Sequence, residues 1–146
     1  MTKKKATIKR HDSRVLALSA LFCWESVKEG DLETIFQDIA QDFFGSLIPS
    51  DAPQSLEYAR RLFYETVNHV GEIDAMISRA SQGWAISRMP KVDLSILRMA
   101  VAEVLYVKEA PLEVVINEAL ELCKEFSTHA SPRFVNGVLM GIFRVV

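Results

Sequence analysis

The sequence predicts an all-α protein of about seven helices. Three observations carry that prediction. Apolar residues recur at the three-to-four spacing of a helix through nearly the whole chain, no alternating strand pairs or hairpin dipeptides occur, and breaks rich in Gly, Pro and Ser fall between the periodic segments. No repeat of 20 to 50 residues is present, which sets aside solenoid folds. With 146 residues, 49% of them apolar and 25% charged, the chain fits one globular domain. A domain of that size can bury roughly two thirds of the surface its unfolded chain exposes.

The first helix is expected from about Ser13 to Lys28. Val15, Leu18 and Phe22 mark one face, Leu16, Ala20, Leu21 and Trp24 widen it, and Asp12 or Ser13 is placed to cap the start. Gly30-Asp31 breaks the pattern. Leu32, Ile35, Phe36, Ile39 and Phe43 then form a second helix that stops at Gly45. The stretch "SLIPSDAPQ" reads as a loop, with Asp51 as N-cap and Pro53 in the first turn of a third helix bearing Leu56, Ala59, Phe63, Val67 and Val70. After Gly71 a fourth helix carries Ile73, Met76, Ile77 and Ala80 and ends at "SQGW".

Beyond Pro90, apolar residues occupy almost every side of the next helix, leaving a polar stripe at Ser95, Arg98 and Ala102, so this helix should be nearly engulfed. "LEVVI" is rich in β-branched residues, yet it runs without a turn into the strongly helical "NEALELCKEF" and reads as helix, opened by Pro111 and presenting Val115, Ala119, Leu122 and Phe126. Ser131 as N-cap and Pro132 at the first helical position start the last helix, with Val135, Val138, Leu139 and Ile142 inward. Gly137 and Gly141, one turn apart, imply a close helix contact there. Asn117 and Asn136, weak helix formers, read as buried amides bonded across helices, with ligand contact the alternative.

Charge is unevenly placed. Residues 1–14 hold Lys3, Lys4, Lys5, Lys9, Arg10 and Arg14 against Asp12, a net +5, so the other 132 residues total −7 in a chain whose formal charge is −2. Such asymmetry points to contact with nucleic acid or another anionic surface. Cys23 and Cys123 sit in apolar helical patterns, as reduced cysteines of a cytoplasmic protein do, and the basic start lacks the apolar run of a secretory signal. The apolar run from Val135 is too short to span a bilayer, so no membrane association is expected.

Catalytic and metal signatures are missing. His11, His69 and His129 are scattered without finger-like spacing, no P-loop or nucleophile elbow occurs, and Glu118 with Glu121 reads as a solvated helix face. No metal, cofactor or enzymatic activity is expected.

The run "DLSILRMAVAEVLYVKEAPLEVVINEALELCKEF", followed by "SPRFVNGVL", resembles the signature region of the NusB family of transcription antitermination factors, and "SRVLALSALFCWE" resembles that family's first helix. Residues 30–80 agree only in helical pattern, with Trp84 and Arg88 matching just beyond. The resemblance implies two helical bundles set roughly perpendicular: a flexible basic arm over residues 1–12, then one NusB-like domain over 13–146, divided near residue 70. It also implies binding of single-stranded boxA RNA together with NusE, a small-subunit ribosomal protein, within an RNA polymerase antitermination complex that promotes transcription of ribosomal RNA operons.

On that resemblance the RNA-binding residues are Lys5, Lys9, Arg10, Arg14, Phe22, Arg133 and Phe134, the cations facing phosphates and the aromatics stacking on bases. Asp93 matches the acidic position against which the NusE partner lies. His11 and Asp12 replace arginines found in many members, and an aspartate there opposes phosphate binding. The competing expectation is therefore a protein-interaction module or homodimeric scaffold of the same fold with weak or lost RNA recognition. Fusion to an RNA methyltransferase domain, known for NusB-like domains, is not expected of a chain whose last helix ends at Val146.

Overall fold

The computed structural model describes residues 10–27, 29–44 and 52–144. Among them the regular structure is helical: α1 (Arg10–Val27), α2 (Leu32–Phe44), α3 (Ala52–Asn68), α4 (Val70–Ala80), α5 (Lys91–Ala102), α6 (Leu112–Phe126) and α7 (Ser131–Phe143), with a short 3₁₀ turn at Ile86–Arg88. The chain divides into two compact units between Tyr64 and Glu65, within α3. The capping role expected of Asp51 and the stop expected at Gly45 lie outside the described residues.

In the first unit α1 buries Leu16, Ala17, Ala20 and Leu21, α2 buries Ile35 and Phe36, and α3 buries Tyr58, Ala59, Leu62 and Phe63. Phe36 and Phe63 stack with centroids 6.2 Å apart. α1 starts at Arg10, earlier than the pattern suggests, because Ser13 is not a cap: it is buried, and its hydroxyl donates to the Ser55 carbonyl at 3.2 Å. Asp31 does cap α2, accepting from the Thr34 amide at 3.1 Å, and Gly30 takes the left-handed φ of +105° that turns the chain into it.

Glu33 is the polar hub of this unit. Arg60 Nε and Nη2 donate to its two oxygens at 3.2 and 3.0 Å, Tyr64 donates at 2.7 Å and Gln37 at 2.8 Å. These bonds hold the Glu33 carboxyl down at about 2, the Arg60 bond contributing most.

In the second unit α5 is engulfed as its sequence predicts, every residue from Asp93 to Ala102 being buried by packing against α4, α6 and α7. Its polar stripe goes inward as well. Arg98 reaches α4 and forms a two-pronged pair with Asp74, both bonds 2.8 Å long, which satisfies a guanidinium that would otherwise be costly to bury. The helix then widens into a π turn over Glu103–Val107, closed by the Lys108 amide donating to Glu103 O at 2.9 Å with Lys108 left-handed at φ +59°. Tyr106 on this turn stacks on His69 at 3.7 Å and donates to Glu72 at 3.1 Å.

Three expectations are corrected here. Asn117 is exposed rather than buried, and Phe126 is exposed rather than inward. Of the two glycines only Gly141 marks a close approach: a Cβ there would lie 3.3 Å from the Ala80 Cβ of α4, whereas one at Gly137 would meet nothing within 4 Å.

Candidate nucleic-acid interface

α1 carries three of the expected RNA contacts, and they occupy different environments. Arg10 is exposed at the helix start, with its guanidinium 3.6 Å from the centre of the Tyr58 ring, a cation–π contact that fixes its direction. Arg14 is 3% exposed and interacts within the protein, so its charge faces the interior. Phe22 is 41% exposed. Twelve residues of helix separate Phe22 from Arg10, about 18 Å along the axis and a third of a turn around it. Arg10 and Phe22 therefore present two contact points rather than one patch. Lys5 and Lys9 lie outside the described residues.

The second unit builds a more concentrated face. Arg133 is exposed in the first turn of α7, and among the described residues it has no ion pair. Beside it Phe134 meets Trp84 edge-on, the rings 6.0 Å apart at 65°. Trp84 follows a turn in which Gln82 and Gly83 both take positive φ, at 47° and 95°. That turn is pinned by the buried Ser81, whose hydroxyl donates to the Trp84 carbonyl at 2.8 Å. In the sequence "SQGW" reads as a helix end and Trp84 as a family match without a role; an aromatic placed in a polar turn is the signal that could have marked it.

Asp93 lies under this face. It is 3% exposed, accepting hydrogen bonds from Ser127 and, at 2.8 Å, from Ser131. Ser131 is thus not an N-cap but a strut, also within 3.0 Å of the Thr128 hydroxyl, and the residue before α7, Ala130, offers no side-chain cap. Asp93 fixes the turn between α6 and α7. Cys123 is buried nearby, its thiol pushed up to about 12 by burial and by the Asp93 charge, which keeps it protonated and inert. Among the described residues no group of three or more His, Cys, Asp or Glu could hold a metal ion.

An all-α chain whose described residues set exposed Arg133 beside exposed Trp84 and half-buried Phe134 has the surface of a helical binding protein. Comparison with known proteins makes this particular: the sequence model of the NusB family matches residues 11–144, and the chain belongs to that family. The transcription antitermination protein NusB of Desulforamulus reducens is 41% identical over 131 residues, 89% of this chain and 86% of that protein. The protein of the same name from Levilactobacillus brevis is 39% identical, covering 91% of each. T. maritima NusB superposes with a TM-score of 0.80 at 34% identity, over 95% of this chain and 92% of that one. A chain from the crystal structure of antitermination factors NusB and NusE in complex with dsRNA gives 0.80 at 28% identity, over 92% and 96%.

Proposed function

We propose that this chain is an RNA-binding transcription antitermination factor that binds boxA-type RNA together with NusE, joins an RNA polymerase antitermination complex, promotes transcription of ribosomal RNA operons and catalyses no reaction. The observation that carries the reading is the likeness, over nearly the whole chain, to one chain of the crystal structure of NusB and NusE in complex with dsRNA. The relatives' shared name supports it. The reading implies action in the cytoplasm; no helix among the described residues is long and apolar enough to cross a membrane.

In this reading Arg10 and Arg133 neutralise phosphates, with Lys5 and Lys9 adding charge upstream, while Phe22 and Phe134 offer stacking faces. Arg14, buried, supports the first helix from behind. Asp93 serves NusE binding by holding the α6–α7 turn in shape rather than by touching the partner. The acidic body attracts a basic ribosomal protein, which speeds encounter more than it deepens affinity.

A second reading, a protein-interaction module or homodimeric scaffold, is favoured by Asp12 in the first turn of α1 and by the burial of Arg14. Binding assays with NusE and with boxA or scrambled RNA separate the two. The first reading expects boxA to be preferred and NusE to strengthen its binding. NusE capture with no preference between the RNAs would decide for the second.

A further inference from the structure

Trp84, at 55%, is the most exposed large apolar side chain among the described residues. An indole left in water forfeits burial energy, and a lone one needs no explanation. Trp84 is not alone. Its carbonyl is held by Ser81, its ring meets Phe134, and cavities of about 250 and 430 Å³ open beside the pair, both bordered by Trp84 and Phe134. The smaller is mostly apolar, walled by Met89, Pro90 and Ala130, with Asp93, Thr128 and Ser131 also lining it. The larger is bordered by Arg133 and Gln82 and widened by Gly137, where a side chain would stand in open space.

Charge indicates what enters. Residues 79–91 carry Arg79, Arg88 and Lys91 and no acid, and residues 127–144 carry Arg133 and Arg144 and no acid, in a chain that is acidic overall. These two stretches supply Trp84 and Phe134. A polyanion with planar, apolar faces fits an aromatic pair that has Arg133 at its border and cationic sequence on either side; the one acid among the lining residues, Asp93, is buried and bonded to Ser127 and Ser131.

We propose that Trp84 and Phe134 form a stacking cleft for an unpaired RNA base, with Arg133 neutralising the phosphate beside it. The proposal rests on the RNA-binding reading above and adds Trp84 and the two cavities to it. Stacking on an indole needs an unpaired base whose face is open, so the cleft selects single strands over duplex. Gly137 keeps the cleft open.

The test titrates the full-length protein, with NusE, against a fluorescently labelled single-stranded RNA bearing boxA and against the same RNA annealed to its complement. Trp84→Ala is expected to weaken single-strand binding about tenfold or more, Trp84→Phe less, and duplex binding little. Gly137→Leu, which fills the larger cavity, should act like Trp84→Ala. In a Trp24→Phe background Trp84 is the sole tryptophan, and single-stranded RNA should quench its fluorescence. Helical circular dichroism and melting temperature should stay unchanged for Trp84→Ala.

Single-strand affinity unaltered by Trp84→Ala, with Trp84 fluorescence untouched at saturation, would overturn the cleft. If Arg10→Glu still weakened binding, the RNA-binding reading would survive that result. Absence of RNA binding by the unaltered protein would overturn both. Loss of NusE capture without RNA, at unchanged RNA affinity, would assign the cleft to protein and contradict the proposal.

Discussion

At the scale of single residues, ionisation and burial decide what each side chain can do. Glu33 has a folded pKa of about 2 against an ordinary 4.5. A carboxylate depressed by folding stabilises above its unfolded pKa and loses that contribution as pH falls through the folded one. Thermal stability should therefore decline between about pH 4.5 and 2, and Glu33→Gln should flatten that part of the profile in melts across the range. Cys123 should resist thiol reagents at pH 8 until the protein unfolds, while half-buried Cys23 reacts first, as a timed thiol titration can follow. Arg10→Glu should weaken RNA binding and lower the slope of log affinity against log salt by about one, measured by titration over a salt series. Residue roles were the least legible in the sequence. Arg10 and Arg14 look equivalent there, yet one is exposed over Tyr58 and the other buried, because burial depends on packing partners that helical spacing does not name.

At the scale of elements, hydrophobic periodicity carried far. The encirclement of α5, the helical nature of "LEVVI" and the inward faces of α7 all follow from apolar spacing. Helix ends were less legible, since Ser13 and Ser131 have the chemistry of caps but spend their hydroxyls on tertiary partners, Ser55 and Asp93. The π turn at Glu103–Val107 left no trace in the pattern, because it closes the helix at Lys108 and no apolar stripe continues beyond it to show the rotation an extra residue makes. Removing the Asp93 carboxylate should strand the hydroxyls of Ser127 and Ser131, and Asp93→Ala should cost about 1–3 kcal/mol in denaturant unfolding. Gly137→Ala meets open space and should stabilise by roughly 0.5–1 kcal/mol through helix propensity, whereas Gly141→Ala should gain less because its Cβ presses on Ala80.

At the scale of the molecule, an acidic chain gathers eleven of its 17 lysines and arginines in three places: the leading stretch, and the two acid-free stretches around Trp84 and Arg133. That distribution is legible from composition alone. Its pairing with an aromatic couple is not, because Trp84 and Phe134 are fifty residues apart and meet only through the packing of α7 on its neighbours. The charge attracts any RNA, and the aromatics supply selectivity, so affinity and preference should respond differently to salt. The most direct measurement is a titration of boxA RNA and a scrambled RNA at two salt concentrations, with and without NusE. The account predicts that both affinities fall with salt, that boxA stays preferred at the higher salt, and that NusE widens the preference. Equal binding of the two RNAs at both salts, unchanged by NusE, would contradict it.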